Sequence, residues 1–239
     1  QSNLVKAEEQ RFSDEGVKDI TRRILLPWKN AFSFEMLTKV NELLSQVPRD
    51  TGALVVTGRS GLFSGGFDLK TMATGDMEKI TKMVQMGYRL LLELYSFDRP
   101  IIAAVSGHSI ALGLFVTCSA DYRIAIDGEY ICQANEVRNN MDIPTPIMEI
   151  LKARVNKNFF YPAVYHSDAY SMQDSIAVGF IDEVVPQTDF MNRVMEKAKE
   201  LASLPHPFYA NTKKSAQEDV RKKILNAIDN YENLTGLKG

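Results

Sequence analysis

The chain has 239 residues, 45% of them hydrophobic, with 28 Lys+Arg against 30 Asp+Glu and a formal net charge of −2. That is enough apolar material for one domain with a sizeable core. The near-neutral balance supplies no basic field, which argues against nucleic acid or an anionic membrane surface as partner. No apolar run is long enough to cross a bilayer, and no basic segment leads into one. Cys118 and Cys132 both lie in apolar stretches without metal-ligand spacing, so they read as buried, reduced thiols.

In chain order, the first twenty-odd residues are polar and give little pattern beyond a weak strand signal from Val17 to Leu26. Ser33 can cap a helix whose apolar residues Met36, Leu37, Val40, Leu43, Leu44 and Val47 share one face, with Pro48 as its stop. The run 53–57 (Ala-Leu-Val-Val-Thr) reads as a buried strand, and 59–68 as a glycine-containing loop. A second amphipathic helix follows around Met77, Ile80, Val84, Leu91 and Leu94, broken by Arg99-Pro100. A second buried strand covers 101–105, Ser106-Gly107 turns the chain, and 112–120 reads as a buried helix. Residues 122–126 and 130–132 predict strands about a hairpin-type turn at Asp127-Gly128. From Pro144 onward the signal is helical. Alternating strands and helices with a helical tail predict an α/β core.

Two segments can carry chemistry. In Phe63-Ser64-Gly65-Gly66-Phe67-Asp68-Leu69, directly after a strand, paired glycines permit close backbone approach and can expose main-chain N–H groups to a ligand, or simply make a tight turn. In Ser106-Gly107-His108-Ser109-Ile110-Ala111-Leu112-Gly113, a helix N-terminus offers unpaired donors, or an ordinary strand-helix connection. Both follow successive strands, so in a parallel sheet both emerge at one edge, where two backbone donors could converge. Glu136 reads either as a carboxylate base or as a solvated group at a strand end.

Taken together these motifs resemble the crotonase (enoyl-CoA hydratase/isomerase) superfamily. The segment 61–70 is similar to its F-S-x-G-x-D-L-K loop, 100–108 through 120–125 to its second block, and Ala134-Asn135-Glu136-Val137 with Pro144 to its third. The stretch 177–186 (AVGFIDEVVP) is similar to a later family segment. The resemblance implies an α/β fold, a spiral of ββα units with a C-terminal helical region. Residues 1–185 would form the core, and 186–239 would serve oligomerisation and part of the coenzyme A site. It implies an acyl-CoA substrate, no cofactor beyond the coenzyme A of that substrate, and a homotrimer or dimer of trimers. The compartment would be cytoplasmic, or mitochondrial or peroxisomal in a eukaryote.

Carried over by position, the resemblance places the oxyanion donors at the N–H groups of Phe67 and Leu112 and the base at Glu136. It assigns substrate contacts to Asn30, Ala31, Phe63, Ser64, Gly65, Gly66, Leu69, Lys70, Gly113, Phe115, Pro144 and Lys213. For Lys70 and Lys213 a plain surface charge is the competing reading, and for His108 a structural role. Family hydratases carry two glutamates, but here the second position is Phe115. A single carboxylate suits a 1,3-proton shift better than addition of water. The pattern is therefore similar to the single-glutamate 3,2-enoyl-CoA isomerases. A hydratase or other crotonase reaction helped by Asp142, or a non-catalytic acyl-CoA binder, are the alternatives. Where family members have glycine, this chain has Asn140, which tolerates a left-handed backbone better than most residues.

Overall fold

The computed structural model of the chain describes residues 6–14, 17–25, 31–230 and 235. Asn30 lies outside these residues. The chain opens with two strands, β1 (Lys6–Asp14) and β2 (Val17–Leu25), paired antiparallel with Lys6 opposite Leu25 and Asp14 opposite Val17. The first of these has no clear apolar alternation, and it escaped the sequence reading for that reason.

The short β3 (Ala31–Phe32) leads into α1 (Phe34–Ser45). Its cap is as expected, with Ser33 Oγ accepting the Met36 N–H at 3.2 Å. Then come β4 (Ala53–Thr57), β5 (Gly61–Ser64), β6 (Gly66–Phe67), the single turn α2 (Leu69–Met72) and the long α3 (Met77–Tyr95). The middle of the chain gives β7 (Ile101–Val105), β8 (Gly107–Ile110), α4 (Leu112–Ser119), β9 (Tyr122–Ile126) and β10 (Ile131–Gln133). After a 3-10 turn at Val137–Asn139 follow α5 (Thr145–Arg154), β11 (Tyr170–Ser171), α6 (Asp174–Val178) and β12 (Glu183–Val185). Three helices finish the described chain, α7 (Phe190–Ala202), α8 (Phe208–Ala216) and α9 (Glu218–Asp229).

Strands β1-β2-β4-β7-β9-β12 form one sheet in that order, parallel from β2 onward. Every residue of β4 and β7 is buried, as their unbroken apolar runs require of strands covered on both faces. A second sheet has the order β11-β10-β8-β5. The recurring unit is therefore a strand of the first sheet, a short strand of the second, and a helix: β4-β5-α3, β7-β8-α4 and β9-β10-α5. This is the ββα spiral that the resemblance implies, and the fold is α/β.

Four expectations change. Residues 59–68 are not one loop but contain β5 and β6, and the turn after Ser106 is the start of β8. Asp127-Gly128 does not join a hairpin, because β9 pairs with β7 in one sheet and β10 with β8 in the other. The region after Pro144 includes β11 and β12. Strands of two to four residues carry almost no periodic signal, and their partners are remote in sequence.

One apolar cluster lies between the two sheets and α1, α3, α4, α5 and α9, including Leu37, Leu54, Met83, Phe97, Phe115, Phe180 and Ile228. A smaller one forms where Phe190, Val194, Ala198 and Ala202 of α7 cover the far face of the main sheet against Val55, Ile102 and Ile124. Arg123 ties β9 to the segment before β12. Its guanidinium donates to both Asp182 oxygens, at 2.8 and 2.7 Å, and to the Gly179 carbonyl at 2.6 Å. The 120–125 and 177–186 stretches thus meet in space. Both thiols are buried and unpaired with each other.

Candidate active site

The second sheet aligns the three motif-bearing segments. Because β4, β7 and β9 are parallel neighbours, the segments that follow them leave at the same edge of the main sheet. In the second sheet β8 lies between β5 and β10, with Ser64 opposite Ser109 and Gln133 opposite Ile110. The Ala111 N–H donates to the Gln133 carbonyl at 3.0 Å, continuing this register. Immediately beyond the aligned row come Gly66-Phe67 on one side, Ala111-Leu112 in the middle and Ala134-Asn135-Glu136 on the other. Neighbouring strands lie about 4.8 Å apart, so the three segments set out side by side.

The close approach of the first two segments depends on glycine. A Cβ on Gly66, whose φ is +99°, would lie 2.9 Å from the Ala111 Cβ and 3.4 Å from the Leu112 nitrogen. A Cβ on Gly113 would lie 2.7 Å from that of Ser64. Ser64, fully buried, accepts the Gly66 N–H on its hydroxyl at 3.2 Å, which folds the backbone back before Phe67. Helix α4 begins at Ala111, which has φ 51° and ψ −129° and supplies no side-chain cap. Its first N–H groups, Leu112 foremost, are thus the free donors of a helix N-terminus. Such a backbone for a non-glycine residue is strained, and it is held by the burial of the turn that follows.

Glu136 opens the 3-10 turn 137–139, which Asn140 closes in the left-handed conformation at φ 57°, ψ 38°. The expectation that asparagine could replace glycine here holds. The turn is fastened outward: Gln133 Nε2 donates to the Ser167 carbonyl at 2.7 Å, and Arg138 Nε to the His166 carbonyl at 3.0 Å. Glu136 itself is 4% exposed, and its Oε2 has no hydrogen-bond partner. Burial disfavours the charged form and outweighs the hydrogen bond from the residue's own backbone N–H, so its pKa is pushed up to about 7. The solvated strand-end reading of Glu136 is therefore corrected.

Phe63 and Phe115 are fully buried, and Leu112 and Pro144 are buried as well. Phe115 occupies the first turn of α4 within the core. Asp68 does not turn inward; its carboxylate caps α2 by accepting the Thr71 N–H at 3.1 Å. Asp142 is exposed.

The remaining expected contacts separate into two groups. Ala31 pairs with Gly66, and Gly65, Leu69 and Lys70 are exposed at the rim. Lys213 is elsewhere. Its ammonium pairs with Asp121 at 2.8 Å, buried, and the same Asp121 oxygen accepts the Ile101 N–H at 2.8 Å. That places it where β7 and β9 begin, at the opposite edge of the sheet from the site. Lys213 is thus neither a surface charge nor a group facing Glu136, because an ammonium taken out of water needs its carboxylate. His108 is structural: Nδ1 accepts the Ile131 N–H at 3.2 Å and the ring meets Tyr130 edge-on.

The sequence reading passed over Gly87 and Tyr88 of α3. A Cβ on Gly87 would lie 2.6 Å from the Phe67 ring and 3.2 Å from Leu112 Cδ2, so the helix presses against both residues at once. Tyr88, 2% exposed, meets the Phe67 ring edge-on at 6.1 Å. The available signal was the glycine itself, which costs a helix interior about 1 kcal/mol relative to alanine and so marks a packing reason.

A family model for enoyl-CoA hydratase/isomerase matches residues 15–235. Human mitochondrial enoyl-CoA delta isomerase 1 is 23% identical over 207 residues, which cover 85% of this chain and 68% of the human one. Among solved structures, an enoyl-CoA hydratase of Mycobacterium ulcerans is 32% identical with a TM-score of 0.85, covering 95% of this chain and 99% of that one. An enoyl-CoA isomerase of Mycobacterium tuberculosis is 31% identical with a TM-score of 0.84, covering 93% and 96%. The same Mycobacterium tuberculosis protein is named a probable enoyl-CoA hydratase in a second solved structure, 31% identical with a TM-score of 0.86, so these names do not separate the two reactions.

Proposed function

The chain belongs to the enoyl-CoA hydratase/isomerase family, and on that premise we propose that it is a 3,2-enoyl-CoA isomerase. The observation that carries this reading is a lone buried carboxylate. Glu136 is enclosed with one oxygen unpartnered, while the position that a second glutamate would take is the fully buried Phe115. Hydration needs a water held and polarised between two groups, and an apolar ring at one of them disfavours that water. A 1,3-proton shift needs one base that removes a proton and returns it.

In the proposed reaction the thioester carbonyl of a 3-enoyl-CoA lies between the N–H groups of Phe67 and Leu112. Glu136 breaks the C2–H bond and takes the proton. The electron pair moves through the C2–C1 bond onto the carbonyl oxygen, giving a dienolate. The charge then returns through the conjugated system, C4 takes the proton from Glu136, and the double bond comes to rest between C2 and C3. The carboxylate is regenerated, so no other reactant is consumed. An α-proton is too weak an acid for an unaided carboxylate. Two backbone donors at about 3–4 kcal/mol each, aimed at a developing oxyanion in a dry site, offset much of that gap. A pKa of about 7 serves a base that must also act as an acid in the same turnover.

The test supplies purified protein with 3-hexenoyl-CoA and, separately, with 2-hexenoyl-CoA. Isomerisation that the Glu136→Gln variant abolishes supports the reading. Hydration of 2-hexenoyl-CoA faster than isomerisation would overturn it in favour of a hydratase, and binding without turnover would favour a non-catalytic acyl-CoA binder.

A further inference from the structure

Gln133, the last residue of β10, has no part in the reaction above, yet it is bonded to both halves of the site. Through its main chain it meets the oxyanion segment: its carbonyl accepts the Ala111 N–H at 3.0 Å, and Leu112 follows directly. Its side chain reaches the other way, with Nε2 donating to the Ser167 carbonyl at 2.7 Å. Arg138, two residues past Glu136, donates from Nε to the His166 carbonyl at 3.0 Å. Two side chains that straddle Glu136 in sequence thus grip two consecutive carbonyls of one segment. That segment is itself tied from behind, since the His166 and Asp168 N–H groups donate to the Tyr161 and Pro162 carbonyls at 3.1 and 3.0 Å. Ser167 is fully buried and left-handed at φ 54°, and its hydroxyl oxygen has no hydrogen-bond partner among the described residues. Both features are unfavourable, and they persist where the surroundings over-determine a position.

We infer that Gln133 is a positioning residue: its amide, with Arg138, clamps the turn carrying Glu136 to the 166–168 segment and so fixes the carboxylate relative to the Leu112 N–H. The inference rests on the assignment of Glu136 as the base. The turn is closed by its own bonds, with the Asn139 and Met141 N–H groups donating to the Glu136 carbonyl at 2.9 and 3.0 Å. A turn closed in this way moves as a unit, so what it is fastened to decides where the carboxylate sits. Glu136 Oε2 has no partner, which leaves the main chain to set its direction. Of the two grips the amide counts for more. Gln133 is half-buried, whereas Arg138 is exposed and shares its guanidinium with Asp168 at 3.2 Å. Because the same Gln133 bonds Ala111, the spacing between oxyanion donor and base runs through one residue.

Gln133→Met keeps the length of the side chain and removes the donor. Native-state amide exchange, read by mass spectrometry on the peptide covering 133–141, follows the turn directly. The Asn139 and Met141 N–H groups should exchange about tenfold faster in the variant, as loss of one hydrogen bond allows, while β4 keeps its protection. On 3-hexenoyl-CoA, kcat should fall roughly tenfold with little change in KM, the mark of a displaced reacting group rather than of lost binding. Unchanged exchange of the turn would overturn the inference whatever reaction the protein runs. So would a loosened turn in an enzyme whose kcat is untouched, because the clamp would then serve stability alone. Should Gln133→Met fail to fold, Arg138→Met, at the exposed end of the clamp, must loosen the same amides by a smaller factor, and exchange coincident with wild type would overturn the inference. The exchange measurement needs no turnover. A wild-type protein that fails to isomerise 3-hexenoyl-CoA refutes the proposed function, and the clamp is then decided by exchange.

Discussion

Replacing Glu136 by glutamine should make the protein more stable in mild base and leave it almost unchanged in acid. The ordinary value for a glutamate carboxyl is 4.5, and burial pushes that of Glu136 up to about 7. Between these values the folded chain holds a proton that the unfolded chain has lost. Stability therefore falls as pH rises through this window and levels off above about 7. The span is about 2.5 pH units, which at about 1.36 kcal/mol each amounts to roughly 3 kcal/mol in favour of the glutamine variant at pH 8. For a chain of this size that corresponds to a melting temperature higher by about 6–12 °C. Any constant cost of burying the amide shifts both ends of the curve equally, so the readout is the pH dependence. Thermal melts of both proteins at one concentration, from pH 4.5 to 8.5, give the difference curve. Parallel curves would show that Glu136 is solvated when folded, and the account of the site given above would fail with it.

Gly87→Ala trades a gain in helix propensity for a methyl 2.6 Å from the Phe67 ring. The expected net loss is about 1–3 kcal/mol from overpacking, with a fall in kcat larger than any rise in KM, measured by urea denaturation and steady-state assay. Gly66→Ala should be similar in rate but harsher, since it adds a positive φ to a 2.9 Å approach to Ala111; a fully active variant would refute the convergence of the two segments. Lys213→Met leaves the Asp121 carboxylate buried without its partner and should cost about 3 kcal/mol in stability. The KM for acyl-CoA should stay unchanged, and a large rise in KM without destabilisation would restore the phosphate-contact reading. In the pH profile of kcat/KM the rate should rise through about pH 7 as Glu136 becomes a base, and a profile flat from pH 5 to 8 would contradict this.

Some of this molecule was open to reading from local chemistry. Ser33 before an amphipathic run, the wholly apolar strands 53–57 and 101–105, and the tolerance of Asn140 for a left-handed backbone are all consequences of neighbours in the chain. The ordered motifs around Phe67, Leu112 and Glu136 likewise pointed to three segments that belong together. What stayed hidden was pairing at long range. The strands β5, β8 and β10 are three or four residues long, too short to show a period, and each finds its partner more than twenty residues away. Lys213 read as a surface or ligand charge because nothing near it in sequence announces Asp121, 92 positions earlier.

The amino-acid sequence by itself pointed to the family, to the long helices and the wholly apolar strands of the core, and to Phe115 at the position where the resemblance puts a second glutamate. Only the tertiary structure decided that Glu136 is buried with one oxygen unpartnered and that Lys213 faces the far edge. It also brought Gly87 and Tyr88 of α3 against Phe67, and Gly87 against Leu112. The reason is that a proton affinity or an ion pair depends on dielectric surroundings and distance, and both are set by residues remote in the chain.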